Sequence, residues 1–532
     1  MQEDGRPSLG GASLRVLTFL ILTALAATIV VVQQRGSGAY VAEFSATRAD
    51  EATHVLGGMM VADWIAAGLP APGRFFSDYT LRLPVPGVPA GLPLHPLAQG
   101  LWIAALGPGT PALLLLPAFL AALLVVSAGW VAARAAGPLP GVAVGAVLMA
   151  AVPVREAAIT VGVDLPLALA SLSAALAVAG FMRGGRGLFM ALFALAAAAA
   201  LLTAPGGAAL VGLPFLALAL GGCPALVLRR AFWLGLLLMA LLAGPWLMAF
   251  RVLPELAAAP TLASAQANLA AGAAALRSGL GDVFVVLPPI GAVAAVVHAW
   301  RGRAAARPVA AVAALAVCVL VLFALSDVPP EPGRLLVLAA PAAILSAYGA
   351  ISLLRLISSG WDTVFGLAVA LVLLLAAMPA LLEPVHKGAV GMDQVAEAVV
   401  AKNVAHPVVL VAADGQGEAA LIAAMAQRDR ARSAFVVPLA RRAAGAAPDA
   451  VMAEVGALGA SFLVIEAAPG ARTLPAVQAA EAAIAAHPDR FRLLGSYPRA
   501  DGGGEARLYG IPGAAVPDAA TLRQRLRAGA GG

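Results

Sequence analysis

Long apolar runs dominate the first 385 residues, and they are continuous rather than alternating. A run of about 18 or more apolar residues is long enough to cross a bilayer as a helix, whereas barrel strands alternate with period two. The pattern predicts about eleven spans: 14–33, 110–134, 138–154, 164–182, 187–203, 205–222, 229–250, 282–300, 308–325, 334–356 and 363–382. The stretch 95–107 is apolar but too short to cross, and reads as an interfacial or re-entrant helix. Arg6 and Arg15 precede the first run, yet no small-residue cleavage site follows. The run therefore reads as an uncleaved first span.

Two segments depart from this pattern. The loop 34–108 carries an expected amphipathic helix over about 48–67, with Val55, Met59, Ala62 and Ala66 on one face, then a Pro-rich passage from Leu83 to Pro96. The tail 387–532 alternates strand-like and helical runs. Strands are expected over 406–412, 435–437 and 462–465, helices over 418–427, 449–458 and 474–487, and a closing hairpin over 491–497 and 506–511. Residues 523–527 read as a frayed basic end. That order makes a small α/β sandwich. The composition changes sharply at Glu383-Pro384-Val385-His386-Lys387, which separates a membrane domain, 1–386, from a soluble α/β domain, 387–532.

Composition agrees. The chain is 61% hydrophobic and 12% charged, about half the charge of a soluble domain. Its net +6 is spread over loops and follows topology, so it gives no reason to expect nucleic acid. Cys223 and Cys318 sit in or beside apolar runs with no metal or disulfide spacing. The abundance of alanine fits a GC-rich bacterial genome.

With the N-terminus inside, the inner segments before residue 387 hold 11 basic residues and the outer ones 8, which sets the orientation. Of 15 acidic residues in the same region, 12 fall outside. Acidic residues contribute little to orientation, so their outer concentration points to a functional outer face.

The candidate chemistry lies there. Asp50, Glu51 and His54 cluster in Arg48-Ala49-Asp50-Glu51-Ala52-Thr53-His54, about fifteen residues after the first span. Positions 50 and 54 share a helix face. A carboxylate there serves as a general base or holds a cation; the plain alternative is helix-dipole stabilisation, which leaves His54 unexplained. Asp164 stands at the outer end of the fourth run, where an ionisable residue is a functional candidate, or else an N-cap before Pro166. Arg334 suits a phosphate clamp or a snorkelling anchor. Asp414-Gly415-Gln416-Gly417 reads as a turn rather than a nucleotide loop, and Gly141/Gly145 forms a weak close-packing motif.

The order of these landmarks resembles the GT-C membrane glycosyltransferases, in particular the protein O-mannosyltransferase and aminoarabinose transferase branch. The matching stretches are Ala49-Asp50-Glu51-Ala52-Thr53-His54, Leu94-His95-Pro96-Leu97, Val163-Asp164-Leu165-Pro166-Leu167, Leu202-Thr203-Ala204-Pro205-Gly206 and Gly333-Arg334 through Pro341. The resemblance covers roughly residues 10–385. The lysine usual in the Thr203 turn is absent, with Ala204 in its place. The resemblance implies an inverting glycosyltransferase of a bacterial inner membrane, multi-pass, with its tail domain periplasmic. It would transfer a hexosyl or pentosyl group from a polyprenyl-phosphate donor to a lipid, glycan or protein acceptor. Asp50, Glu51 and Asp164 would be catalytic, and His54, His95 and Arg334 would bind substrate. No cofactor is required by the motifs; a divalent metal would use Asp50 and Asp164. Membrane lipids are expected partners and nucleic acid is not. The competing classes are a transporter or flippase of lipid-linked substrates, which needs repeats or midplane charges that are not visible, and a non-catalytic envelope protein, for which Asp50 and Asp164 would be dispensable.

Overall fold

The computed structural model describes residues 9–45, 48, 50–84, 93–250, 261–326, 332–358, 361–442, 448–500, 502–513 and 518–529. The membrane part runs α1 (Leu9–Gly36), α2 (Glu51–Ala66), α3 (Pro72–Arg82), α4 (Leu94–Leu106), α5 (Thr110–Ala136), α6 (Pro138–Ala150), α7 (Val152–Ile159), α8 (Asp164–Phe181), α9 (Gly187–Leu201), α10 (Leu213–Leu220), α11 (Arg230–Phe250), α12 (Leu262–Leu280), α13 (Val283–Trp300), α14 (Arg307–Ala324), α15 (Leu336–Ile357) and α16 (Asp362–Leu382). Among the described residues, eight helices are long and apolar enough to cross a membrane: α1, α5, α8, α11, α13, α14, α15 and α16. A ninth is the pair α6 and α7, bent by 56°. Pro153 lies at that bend, where a proline removes a backbone donor and crowds the preceding turn.

The count of about eleven is thus not reached, and the differences have local causes. The run 187–203 forms α9, only 15 residues long. The run 205–222 is interrupted by the 3-10 turn Pro205–Val211 and resumes as the eight-residue α10. The chain doubles back there so closely that a Cβ on Gly207 would overlap the Ala200 and Leu201 backbone. α12 was not foreseen, because its Ala- and Gly-rich sequence shows no apolar stripe. Thr261 caps it by accepting the Ser264 N–H at 3.1 Å, and Asn268 ties it to α14 by donating to the carbonyls of Phe323 (3.2 Å) and Ser326 (2.7 Å). Gly141 packs against the Ala133 backbone, so the glycine motif closes an intramolecular α5–α6 contact.

The tail comprises α17 (Met392–Ala401), β1 (Val408–Ala412), α18 (Gly415–Arg428), β2 (Phe435–Pro438), α19 (Pro448–Leu458), β3 (Phe462–Ala467), α20 (Pro475–Ala486), β4 (Arg492–Pro498), β5 (Glu505–Gly510) and α21 (Ala519–Gly529). Its sheet has the order β2-β1-β3-β5-β4. The first three strands are parallel and the closing hairpin is antiparallel. β1, β2 and β3 are buried along their whole length, as central parallel strands must be. Asp414 caps α18, its Oδ1 accepting from the N–H groups of Gln416 (2.9 Å) and Gly417 (2.8 Å), so this stretch is a capped turn. The expected frayed end is helical instead. Leu522 and Leu526 are buried on one side of α21, and Arg527 reaches Asp78 of α3 at 2.7 Å.

Three main cores result. One lies among the spans and one on a face of the tail sheet. The third joins α2, Tyr79, Ile103 and Leu113 to α17, α18 and the other face of the sheet. α2 is therefore covered on both sides, by α4 and by α18, and is not the one-sided surface helix expected. Val55, Leu56 and Met59 are all buried.

Candidate active site

Asp50 is the N-cap residue of α2, but its carboxylate makes no capping bond. It turns outward to Arg48 and His54. Arg48 donates from Nε to Oδ1 at 3.3 Å and from Nη2 to Oδ2 at 3.1 Å, a two-pronged pair. His54, one turn along α2, places Nε2 3.6 Å from the same Oδ2. Nη1 of Arg48 donates to Oδ2 of Asp164, the first residue of α8. Asp164 does not cap α8 either. One guanidinium thus bridges two carboxylates 114 positions apart in the chain. Asp164 is almost fully buried, with 6% of its side chain exposed, whereas Asp50 is 47% exposed. The pair has an anchored end and an accessible end. Burial raises the Asp50 pKa, but the hydrogen bond to His54 and the Arg48 charge outweigh it and hold the carboxyl at about 2.

His95, at the start of α4, stacks edge-on against His54 with ring centroids 5.1 Å apart. Burial pushes its pKa down to about 3, with the neighbouring His54 adding to the effect, so its ring is neutral. Its Nε2 and both polar atoms of Gln99 are buried without a hydrogen-bond partner. α2 and α4 meet through Gly58 and Gly100, where a Cβ would overlap Gln99 and Val61. The Leu94 N–H donates to the Leu202 carbonyl at 3.0 Å, so the His95 helix starts against the Thr203 turn.

Gly333 abuts the Arg48–Asp164 pair so tightly that a Cβ would overlap both the carboxylate and the guanidinium. The backbone leading into α15 is therefore part of the site wall. Arg334 follows directly, but its side chain lies outside the described residues.

Glu51 is not brought into this group. Neighbours on a helix point about 100° apart, and Glu51 faces inward. Its Oε1 accepts from Lys387 Nζ at 2.6 Å and the Val161 N–H at 2.9 Å, and its Oε2 accepts from the Ser45 N–H at 3.0 Å. Both charged side chains are fully buried, and the Lys387 ammonium lies 4.5 Å from the Phe44 ring centroid. Both Glu51 oxygens are therefore hydrogen-bonded and its side chain is buried away from the Asp50 cluster. The boundary expected before residue 387 falls on a lysine embedded beneath α2.

Arg48 and Lys387 are the two side chains in contact with the predicted site residues that sequence reasoning did not single out. Arg48 carried one signal, a cation two residues from the acidic pair. Lys387 carried another, as one of only two lysines in the chain. For a divalent metal the arrangement does not fit, because Arg48 already engages both Asp50 and Asp164. Among the described residues, no group of three or more His, Cys, Asp or Glu side chains could hold one.

No protein-family model and no curated protein sequence matches the chain. Solved structures do. ArnT from Cupriavidus metallidurans in the apo state aligns with TM-score 0.56 and 14% identity, over 95% of this chain and 100% of that one. The Archaeoglobus fulgidus oligosaccharyltransferase AglB, in complex with an inhibitory peptide and a dolichol-phosphate, aligns with TM-score 0.53 and 11% identity over 95% of this chain and 75% of that one. The same archaeal enzyme, tethered to an acceptor peptide containing an NVT sequon, gives TM-score 0.54 at 11% identity over 94% and 75%. At such low identity the agreement is one of architecture, and it spans the membrane helices and the tail together. The chain shares the overall membrane fold of ArnT and AglB.

Proposed function

We propose that the chain is a membrane glycosyltransferase that moves a sugar from a polyprenyl-phosphate donor to an acceptor hydroxyl on the outer side of the membrane, with inversion. The observation that carries this reading is the Arg48 bridge, which fixes an exposed Asp50 against a buried Asp164 at the start of α8. The shared fold supports it, since AglB was solved with a dolichol-phosphate and with an acceptor peptide.

The acceptor hydroxyl approaches Asp50, which orients it and takes its proton. The new bond forms at the anomeric carbon as the bond to the phosphate oxygen breaks on the opposite face. A phosphate leaves without a strong acid, but it needs a positive group at the interface. By resemblance that group is Arg334. Asp164 holds Arg48, Arg48 holds Asp50, and His54 with His95 fixes the other side of the carboxylate. Glu51 positions the start of α2 rather than taking part in chemistry. No metal step is assigned. The placement of basic residues supports a site on the outer side of the membrane with the tail on that same side, which we assign to a bacterial inner membrane.

Mass spectrometry of envelope glycans tests the function. A strain lacking the chain should lose one sugar, and the wild-type gene should restore it. An unchanged glycan profile would overturn the reading.

The depressed Asp50 pKa gives a pH prediction. The ionised form is the active one, so the acid limb of the transfer rate should lie below the ordinary carboxylate range, towards about 2. Arg48→Gln removes the lowering charge, so the limb should move up towards pH 4 to 5, roughly the free carboxylate range. A limb that stays put in Arg48→Gln would separate Asp50 from the titration.

A further inference from the structure

The ends of α1, α7 and α16 meet on the Asp50 side of the membrane, since Val161, two residues past α7, donates to Glu51 beside Asp50. Gln34 ties α1 to α7 and α5, donating from Nε2 to the carbonyls of Ala158 at 2.6 Å and Leu114 at 2.9 Å. Arg155 of α7 ties in α16, its Nη1 donating to the carbonyls of Ala380 at 3.0 Å and Glu383 at 2.9 Å. Between these helix ends lies a hollow of about 340 Å³. Its apolar lining includes Val30, Ile159 and Leu381, and its polar lining Gln33, Arg155 and His386. No carboxylate is among the lining residues. Arg155 is half-buried, yet among the described residues its Nε and Nη2 make no hydrogen bond and no ion pair engages it. The rim from Pro384 to His386 runs straight into Lys387, whose N–H donates to the Ser37 carbonyl at 3.1 Å.

We propose that this hollow binds the phosphodiester headgroup of a phospholipid from the leaflet on the Asp50 side, at the hinge between the spans and the tail. A cation at the edge of the hydrocarbon needs a partner, because N–H groups left dry and unpaired are costly. The guanidinium fork matches phosphate oxygens, and here two of its nitrogens remain for them. His386 stands at the same mouth, and the Gln33 side-chain carbonyl can accept from a headgroup hydroxyl or ammonium. Ile29 and Val32 of α1 and Met378 and Leu382 of α16 are exposed in the turns that lead to the hollow. They give acyl chains a surface that a free phosphate would not use. A headgroup seated here would pack against Pro384 and Val385 and so steady the chain just before the buried Lys387.

The test uses the full chain, purified and delipidated in maltoside micelles, which carry no phosphate. Adding phosphatidylglycerol should raise the melting temperature, and native mass spectrometry should show it retained. Diacylglycerol with the same chains, and inorganic phosphate, should do neither. Arg155→Gln should weaken phosphatidylglycerol retention roughly tenfold or more, since its charge-assisted contacts are lost. Arg155 also holds the end of α16, so a second variant keeps it in place. Gly36 lines the hollow, and a Cβ there would meet no atom within 4 Å. Gly36→Trp therefore fills the hollow while keeping every charge, and should lower retention as Arg155→Gln does. Retention by folded Gly36→Trp at the wild-type level would overturn the proposal, and so would equal stabilisation by diacylglycerol or by inorganic phosphate. The readouts are lipid retention and melting, not sugar transfer, so failure here leaves the proposed activity untouched, and the reverse holds as well.

Discussion

Asp50→Asn is expected to reduce sugar transfer by about 10²-fold or more while the protein stays folded. The substitution keeps size and shape. It removes the charge that accepts the acceptor's proton and that Arg48 and His54 hold in place. Little stability is at stake. The carboxylate is 47% exposed and makes no capping bond to α2, so its loss forfeits a half-solvated ion pair only. Arg48 keeps its second partner, buried Asp164, and the site should not collapse. The measurement is turnover of a polyprenyl-phosphate sugar by purified protein, paired with its melting curve. An Asn variant that turns over at the wild-type rate would take Asp50 out of the chemistry. A variant that melts early would show that the carboxylate holds the fold.

How much of this was legible in the sequence depends on distance along the chain. The Asp50–His54 pairing follows from helix periodicity, because four residues return to the same face. The same periodicity separates Glu51 from Asp50, yet two adjacent acids in a motif invite a shared role. Asp164 could be linked to Asp50 only through resemblance, since nothing local connects positions 114 apart. The Arg48 bridge needed the fold. The tail sheet was readable because each buried parallel strand is a short β-branched run bounded by helical runs. The spans were readable wherever an apolar run is unbroken. The run 138–154 becomes a bent span at Pro153, and the run 205–222 is broken by the Pro205-Gly206-Gly207 turn, where backbone chemistry overrides hydropathy. The helix after Asp50 was placed well, but its second buried face was missed. The residues that cover it come from α18, more than 350 positions later, and a one-sided pattern cannot report such a partner.

The largest stability effect should come from Lys387→Met. The ammonium and the Glu51 carboxylate are each fully buried, 2.6 Å apart, and join the tail boundary to the start of α2. Removing one member leaves the other charged, dry and uncompensated, which costs about 3–5 kcal/mol. Removing both replaces a desolvated pair with neutral groups and should cost less than the two single changes together. Glu51→Gln/Lys387→Met should therefore recover part of the stability lost by Lys387→Met alone. Activity should fall with stability in the single variants, since Glu51 acts by holding the Ser45 and Val161 backbone that frames Asp50. Melting curves of the two single variants and the double variant in nanodiscs decide this, and strictly additive losses would mean that the pair is not coupled. The same contact bears on truncation. A chain ending before Lys387 loses the cation and also strips α18 from the buried α2 face that carries Leu56 and Met59. Spans and outer loop alone would look sufficient if composition marked the functional boundary. The shared core makes the opposite outcome the expected one: the truncated chain inserts but does not keep α2 in place, and donor binding falls with it.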